Sequence, residues 1–274
     1  MTARSTRTPT GTPTDVVPGM PRLRVFETRA EMGAAASSDV AAELRRRLAT
    51  QERVRMVFAA APSQREVLEA LVAAEGIDWT RVEAFHMDEY LGLPADAPER
   101  FAAWLREAIF GVVPFAAVHA IEPGPDPERT AQEYAAALAA APIDVVCLGI
   151  GQNGHLAFND PPVADLADPL DVKVVELDDA CRQQQVDDEC FPTFDDVPTH
   201  AITLTVPRLL AADRLFCVVP GPAKRAAVEH ALTEPVSAAH PATALRTHPD
   251  VTLYVDADAA PPAPVREAFE REGG

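Results

Sequence analysis

The sequence predicts an α/β protein with a three-layer α/β/α architecture and a Rossmann-like, mainly parallel sheet. Short apolar runs alternate with stretches of helical periodicity, which is the pattern of strands joined by covering helices. The run at residues 145–148 is apolar throughout, as in a strand buried on both faces. The 274 residues, 47% of them hydrophobic, are enough for one large domain. We place this domain at residues 22–274, after a threonine- and proline-rich tail, residues 1–21, that we expect to be disordered.

The predicted elements follow one another in alternation. The first helix is expected over residues 30–51, where Val40, Leu44 and Leu48 share one face. Apolar runs predict strands at residues 54–58, 82–87, 118–121, 145–148, 172–177, 202–206, 215–219 and 251–255. Apolar residues at helical spacing predict further helices after residue 66 and at residues 101–109, 128–140 and 221–232. Residues 178–198 are polar and irregular, and a loop of that length is typically functional or disordered.

The composition argues against several classes of function. A net charge of −18 disfavours nonspecific binding to nucleic acid, which is itself an anion. No apolar run is long enough to span a membrane, and no apolar segment of a signal peptide is expected at the N-terminus. The four cysteines form neither a C-x-x-C pair nor a zinc-binding spacing. We therefore expect a reduced, cytoplasmic protein without a metal site.

A glycine-rich segment follows the strand predicted at residues 145–148. The glycines fit the G-x-G-x-x-G pattern of dinucleotide-binding sites at Gly149, Gly151 and Gly154. Glu176 lies about where such a site would have its ribose-binding acid. That pattern also requires a long helix directly after the glycines, and prolines interrupt this region at Pro161, Pro162 and Pro169. The segment therefore favours a sharp turn that approaches some other ligand closely, not an NAD site.

Charged side chains follow several of the predicted strands. Asp88 and Glu89 come directly after an apolar run, and His155 with Asp160 follows the glycine-rich turn. Lys224 opens a predicted helix, where the helix dipole disfavours a cation unless an anion is bound nearby. The carboxyl ends of parallel strands are where open α/β sheets bind their ligands. A carboxylate can accept a proton there, and an imidazole with a carboxylate partner can exchange one near neutral pH. The alternative for each group is a solvated surface position.

Ser63 and Glu66 have the S-x-x-E spacing of a capping box, where a predicted strand leads into a predicted helix. A helix N-terminus is also a ready site for an anion, because its free amide groups point away from the helix. These residues alone favour a capped helix without a ligand, since caps are commoner than phosphate sites.

Two longer motifs resemble a known family. Residues 85–93, Phe-His-Met-Asp-Glu-Tyr-Leu-Gly-Leu, look like the glucosamine-6-phosphate deaminase signature. Residues 149–161, Gly-Ile-Gly-Gln-Asn-Gly-His-Leu-Ala-Phe-Asn-Asp-Pro, resemble the second signature of that family. Their order and separation match, as does Lys224 in its Gly-x-x-Lys turn, and the resemblance spans residues 24–256. The wider group includes 6-phosphogluconolactonases, which typically carry Asp-Glu-Arg and Gly-His-Thr-Ala-Ser at the two places.

The resemblance implies an aldose–ketose isomerisation that releases ammonia and converts glucosamine 6-phosphate, or a close relative, into fructose 6-phosphate. Asp88 matches the family's general base, and His155 matches the residue that opens the sugar ring. Asp160, where the family usually has Glu, and Asn153 are expected to tune His155. The expected substrate-binding residues are Ser63, Glu89, Gly151, Arg182 and Lys224. The resemblance implies no metal and no organic cofactor.

The sequence departs from the family at the expected phosphate site. The family's loop Thr-Gly-Gly-Ser/Thr-Pro corresponds here to residues 60–64, where only Ser63 is retained and Pro62 has no N–H to donate. Gln185 falls where the family has an arginine, which leaves Arg182 as the nearest basic residue. The reaction type is therefore better defined than the sugar or its phosphate.

Two other functions stay open on the sequence. One is the hydrolysis of a sugar-phosphate lactone, and the other is a sugar-phosphate sensor that has lost catalysis. The presence of both Asp88 and His155 argues against such a loss. The expected partner is a small amino sugar phosphate, and the sequence leaves homo-oligomerisation and allosteric control open.

Overall fold

The computed structural model describes residues 20–161 and 163–272, and a seven-stranded parallel sheet lies at its centre. The predicted disordered tail, residues 1–21, lies outside the described residues except for its last two. The central strands are β1 (Arg22–Phe26), β2 (Val54–Phe58), β3 (Val82–His86), β5 (Ala117–His119), β6 (Val145–Leu148), β9 (Arg214–Val219) and β10 (Val251–Asp256). A small antiparallel sheet contains β4 (Asp88–Tyr90), β7 (Val172–Glu176) and β8 (His200–Leu204).

Helices cover both faces of the central sheet. They are α1 (Arg29–Leu48), α2 (Arg65–Val72), α3 (Phe101–Leu105), α4 (Pro127–Ala139), α6 (Val206–Leu210), α7 (Arg225–Thr233) and α8 (Ala263–Glu272). A further helix, α5 (Asp179–Asp187), packs in a separate apolar cluster with residues of the small sheet. Short 3-10 turns, Pro62–Gln64 and Pro222–Lys224, lead directly into α2 and α7. Within the described part of the chain, no helix is long and apolar enough to cross a membrane.

Two apolar clusters fill the two faces of the central sheet. Successive residues of a strand point to opposite faces, so Val146 and Leu148 belong to one cluster and Val145 and Cys147 to the other. Helices α4, α6, α7 and α8 contribute side chains to the first cluster, and α1, α2 and α3 to the second. All four residues of β6 are at most 1% exposed. The three layers and the doubly buried central strand confirm the predicted fold.

The chain reverses its direction of winding between β2 and β6. The strand order is β1-β10-β9-β6-β2-β3-β5, with every neighbouring pair parallel. From β2 the chain proceeds outward to β3 and β5, then returns to β6 and continues on the other side through β9 and β10. The loops after β2 and β6 therefore diverge and leave a crevice between them, which is where open α/β sheets bind ligands.

At the opposite, amino-terminal end of these two strands, Asp144 joins helix α1 to the sheet. Its Oδ2 accepts a hydrogen bond from the backbone N–H of Arg55 at 2.7 Å. Its Oδ1 accepts from Arg47 Nη1 at 2.7 Å and from Gln51 Nε2 at 2.8 Å. Asp144 and Arg47 are both buried, so water screens this ion pair little. The network fixes the start of β6 against β2 and α1.

Two segments for which sequence analysis predicted neither a strand nor a helix are ordered elements. Residues 88–90 form β4 and pair with β8 in the small sheet. Residues 178–198, expected to be irregular, contain α5, where Asp178 is the N-cap and accepts from the Ala180 N–H at 3.3 Å. Sequence analysis also predicted neither β1 nor helices α6 and α8. These elements depend on pairing and packing with distant parts of the chain, which local patterns do not report.

The predicted capping box at Ser63 and Glu66 is absent. Ser63 lies in the 3-10 turn, and α2 begins after Gln64 without a side-chain cap. Glu66 instead pairs with Arg29 of α1, with Oε1 2.6 Å from Nε. The inserted turn moves the N-cap of the α-helix by one residue, from Ser63 to Gln64, so the S-x-x-E spacing no longer matches the helix.

We expect Asp144→Ala to lower the free energy of unfolding by about 3–5 kcal/mol, because it removes a partner from the buried Arg47 and from the Arg55 amide. Asp213 Oδ2 contacts the same Arg47 nitrogen at 2.8 Å, but its side chain is 57% exposed. Asp213→Ala is therefore the matched control and should cost about 1 kcal/mol or less. Urea unfolding followed by circular dichroism measures both variants. Equal losses would contradict the role of Asp144 as the anchor.

Candidate active site

A narrow cleft of about 80 Å³ lies at the carboxyl ends of β2 and β6. The loops after these two strands line it, together with Asp88 of β4, the end of α5 and the turn before α7. A larger cavity of about 730 Å³ opens beside the edge strand β5. None of the predicted catalytic residues lines that larger cavity. The narrow cleft combines the crevice of the sheet with ionisable side chains, so it is the candidate active site.

Asp88 is the first residue of β4, and it lines the cleft while being only 6% exposed. Burial raises the pKa of its carboxyl group well above the ordinary range, and the negative charges of Glu89 and Asp160 raise this pKa further. A carboxylate with a raised pKa is a stronger base than one in water. Asp88 therefore has the position and the basicity to take a proton from a ligand.

His155, Asp160 and Asn153 form one group in the loop after β6. His155 Nδ1 lies 2.9 Å from Asp160 Oδ1, and Asn153 Nδ2 donates to the same oxygen at 2.8 Å. The backbone N–H of His155 donates to Asn153 Oδ1 at 3.1 Å. Burial opposes the ionisation of Asp160, but its contacts with His155, Asn153 and Cys181 outweigh this effect and lower its pKa. Asp160 is therefore an ionised partner that holds the imidazole ring in place.

Gly151 provides the space for the imidazole ring. A Cβ atom on Gly151 would lie 2.2 Å from His155 Nε2 and from Cε1, which is far inside any real contact. The backbone N–H of Gly151 donates to the His155 carbonyl at 2.9 Å, so the two residues are fixed to each other. Gly151 itself lines the cleft, so the Nε2 side of the ring lies against that wall. This close approach explains why glycine is needed here.

Lys224 and Ser63 reach the cleft from the two similar 3-10 turns that follow β9 and β2. Lys224 is only 9% exposed. Burial lowers its pKa to about 8, although the neighbouring Asp188 and Cys181 act in the opposite direction. Lys224 thus offers one positive charge to a ligand near neutral pH, and Ser63 offers a hydroxyl group.

Gln64 is a positioning residue that sequence analysis missed. It is 1% exposed, and its Nε2 lies 3.2 Å from Ser63 Oγ. The same nitrogen lies 3.4 Å from the carbonyl oxygen of Leu148 and 3.3 Å from that of Val218. These carbonyls lie at or next to the ends of two neighbouring strands, β6 and β9, so Gln64 ties the turn that carries Ser63 to the sheet. A lone glutamine two residues after a proline gives no signal of this in the sequence.

Glu89, a predicted substrate-binding residue, does not line the cleft. It is completely buried, and its carboxylate accepts hydrogen bonds from the backbone N–H groups of Phe101 and Ala102 at 3.1 and 2.9 Å. These amides begin α3, and a helix N-terminus favours a negative charge. Neighbouring residues of a strand point to opposite sides. Because Asp88 faces the cleft, Glu89 faces α3.

Arg182 was also predicted to bind substrate, but its guanidinium group binds backbone carbonyl groups outside the cleft. It donates to the carbonyl oxygens of Phe194 and Val197 at 2.9 and 3.0 Å. Its guanidinium carbon lies 4.0 Å from the centre of the Phe194 ring. Arg182 therefore holds the segment after α5, and it is not among the residues that line the cleft.

The α5 segment instead presents Gln184, Gln185 and Asp188 to the cleft. Gln185 Oε1 accepts from the Tyr90 hydroxyl at 2.7 Å, and Gln184 Oε1 accepts from the Gln152 N–H at 2.8 Å. These bonds attach α5 to β4 and to the glycine-rich loop. The available signal in the sequence was the helical spacing of Cys181, Gln184 and Gln185, which are the buried residues of α5.

Cys181 lies beside the His155–Asp160 pair. One nitrogen, oxygen or sulfur atom of each of these three residues lies within 4.8 Å of the others, a set that could hold a metal ion. Burial raises the pKa of the Cys181 thiol well above its ordinary value, and Asp160 raises it further. The thiol is therefore protonated. His155 and Asp160 already contact each other directly, so their pairing does not depend on an ion.

The cleft contains the buried carboxyl group of Asp88, and the ring of the His155–Asp160 pair lies against Gly151 in the wall of the cleft. At the switch point of a doubly wound sheet, this arrangement suits acid–base chemistry in an α/β enzyme. A sequence model of the family described as glucosamine-6-phosphate isomerases/6-phosphogluconolactonase matches residues 27–254. The chain belongs to this family. The match confirms the resemblance seen in the motifs at residues 85–93 and 149–161.

Known proteins of two activities resemble the chain. It is 34% identical over 189 residues to a glucosamine-6-phosphate deaminase of an Exiguobacterium species, covering 68% of this chain and 72% of that protein. It is 35% identical over 186 residues to a glucosamine-6-phosphate deaminase of Bacillus cytotoxicus, covering 67% and 68% of the two chains. A monomeric glucosamine-6-phosphate deaminase of the NagB superfamily superposes with a TM-score of 0.80 at 24% identity, over 87% of this chain and 98% of that one. A 6-phosphogluconolactonase from Thermotoga maritima superposes with a TM-score of 0.70 at 18% identity, over 85% and 98%.

We expect Asp88→Asn to stabilise the protein at pH 8 and to have little effect at about pH 4. The folded-state pKa of Asp88 is raised, so its contribution to stability is present below the pKa of the unfolded chain and is lost as the pH rises through the folded-state pKa. Removing the charge should therefore gain about 1–3 kcal/mol at pH 8. Asp187→Asn, at an exposed position, is the control. Thermal unfolding at the two pH values measures the effect, and a variant less stable than the parent at pH 8 would contradict it.

Proposed function

We propose that the chain is an amino-sugar deaminase/isomerase, which acts on glucosamine 6-phosphate or a close relative and releases ammonia. The observation that carries the proposal is Asp88, a buried carboxyl group that lines the cleft and has a raised pKa, while the His155 ring lies against Gly151 in the wall of the same cleft. The two motifs and the relatives named glucosamine-6-phosphate deaminase support it.

The first step is the opening of the sugar ring, in which His155 acts. The ring oxygen must gain a proton and the hydroxyl group at C1 must lose one to give the open-chain aldehyde. An imidazole can do both near neutral pH. Asp160 stabilises the protonated ring through the Nδ1 contact of 2.9 Å, and Asn153 holds Asp160 in that position.

In the second step Asp88 takes the proton from C2 of the open-chain sugar, next to the C1 carbonyl group. The C1 oxygen takes up a proton from the ammonium group at C2, and the neutral enolamine forms. Asp88 then returns the proton to C1, which leaves an iminium group at C2. Water adds to this carbon, ammonia leaves, and the product is the 2-ketose. The raised pKa of Asp88 suits both halves of the transfer, since the group must accept the proton and then give it back.

A lactonase is the second candidate, because 6-phosphogluconolactonases share the fold. Hydrolysis of a lactone requires a base that activates water, and no proton moves between C2 and C1. The motif residues at 88–90 and 155–159, Asp-Glu-Tyr and His-Leu-Ala-Phe-Asn, favour the deaminase over the lactonase. Release of ammonia separates the two activities.

The test is a coupled assay of ammonia release from glucosamine 6-phosphate and from glucosamine, with 6-phosphogluconolactone hydrolysis measured in parallel. We expect ammonia from at least one amino sugar, and a loss of at least about 1,000-fold in kcat for Asp88→Asn, since the amide cannot accept the C2 proton. Substrate binding, followed by calorimetry, should persist in this variant. Hydrolysis of the lactone without ammonia from either sugar would identify the second candidate instead.

We expect Gly151→Ala to lower kcat by about 100-fold, because the new methyl group displaces the His155 ring by an ångström or more. The control is Gly124→Ala, where the added Cβ would lie 3.6 Å from Thr130 Oγ1, an ordinary contact. Thermal unfolding of both variants separates a displaced ring from a misfolded chain. A folded Gly151→Ala enzyme with the parent's kcat would refute the placement of His155.

A further inference from the structure

The end of the cleft that carries Lys224 has an unusual balance of charge. Lys224 is the only cationic side chain among the described residues that line the cleft. Two carboxyl groups, those of Asp88 and Asp188, line the same space. Asp188 is close enough to Lys224 to raise the pKa of the ammonium group against the effect of burial. A ligand that meets Lys224 therefore also meets the negative charge of Asp188.

Asp188 is held in this position by a chain of hydrogen bonds. Its Oδ2 accepts from Gln184 Nε2 at 3.1 Å, and Gln184 Oε1 accepts from the backbone N–H of Gln152 at 2.8 Å. Asp188 also follows the last residue of α5, and its backbone N–H donates to the Gln184 carbonyl at 2.8 Å. These bonds fix the carboxylate beside Lys224, and Arg182, the nearest guanidinium group in the sequence, is engaged with carbonyl oxygens outside the cleft.

The wall beside Ser63 is apolar. Ala60, Ala61 and Pro62 line it, and Pro62 has no N–H to donate. This wall continues into a chamber of about 270 Å³ that is lined mainly by apolar side chains, including Phe101 and Trp104. Of the described residues that line this chamber, Glu99 alone carries a charged side chain, and it is another acid. Such a wall offers little compensation for the loss of water around a phosphate dianion.

We propose that Asp188 is a specificity-determining residue, which makes the cleft select an amino sugar with an uncharged C6 group, such as glucosamine, over its 6-phosphate ester. This inference rests on the proposed deaminase function and narrows its substrate. The lysine, the aspartate and the two glutamines at this end can donate to and accept from a hydroxyl group. A phosphate dianion is attracted by Lys224 but is repelled by the fixed carboxylate of Asp188.

The test compares kcat/KM for glucosamine and glucosamine 6-phosphate in the parent and in Asp188→Asn. We expect the parent to prefer glucosamine by about tenfold or more, and Asp188→Asn to shift the ratio of the two kcat/KM values toward the ester by about tenfold, since it removes one like charge near the phosphate. Asp187→Asn is the matched control. It makes the same change one residue away, at an exposed side chain that accepts from Gln183 Nε2 at 2.9 Å, and should leave the ratio unchanged.

Calorimetric binding of the two sugars to the parent and to both variants accompanies the kinetics, so that specificity is decided even if no ammonia is released. If the parent prefers the ester in turnover or in binding, or if Asp188→Asn leaves the ratio unchanged, the inference is wrong, and the deaminase function still stands wherever ammonia is released. If ammonia is released from neither sugar, the proposed function fails. Tighter binding of the ester to Asp188→Asn than to the parent, without this effect in Asp187→Asn, would still support the role of Asp188.

Discussion

The parallel pairing of β2 with β6 is the constraint on which the rest of the structure depends. It places the reversal of chain winding in the middle of the sheet, and only there do two neighbouring loops diverge at the carboxyl ends of the strands. Both ends of the pairing are secured by buried polar side chains. Asp144 joins the amino-terminal ends to α1, and the Gln64 amide ties the turn after β2 to carbonyl groups at or next to the ends of β6 and β9. The cleft is thus a consequence of topology, and the buried polar contacts keep it at a fixed width.

Two buried carboxyl groups in the same region have pKa values that are shifted in opposite directions. Asp88 has no cationic partner close enough to offset its burial, so its pKa is raised. Asp160 is also buried, but His155, Asn153 and Cys181 surround it with donors, so its pKa is lowered. When the surroundings of two titratable groups shift their pKa values in opposite directions, the shifts indicate the roles of the two groups in acid–base chemistry. The proposed isomerisation through an enolamine needs such a pair, with one carboxyl group that exchanges a proton and one that stays ionised beside the imidazole.

The small antiparallel sheet and α5 complete the site from the side opposite the central sheet. Strand β4 turns Asp88 toward the cleft and Glu89 toward α3, so one dipeptide supplies a carboxyl group to the cleft and an anchor to the helix. Helix α5 attaches to β4 through Tyr90 and Gln185, and it brings Asp188 to the end of the cleft where Lys224 lies. Lys224 is the only cationic side chain among the described residues that line the cleft, which limits the means of holding a dianion there.

The sequence by itself determined the fold class, the buried strand β6 and the strand ends that carry Asp88, His155 and Lys224. These follow from local patterns, because hydrophobic periodicity and glycine-rich turns act over a few residues and parallel strands bring their carboxyl ends to one edge. Only the tertiary structure decided which side of β4 each acid faces, that Arg182 binds carbonyl groups away from the cleft, and that Gln64, Gln184 and Asp188 take part in the site. Those outcomes depend on contacts between residues far apart in the chain, such as Gln64 with Val218, and on the register of strand pairing, which sets the direction of every side chain at once.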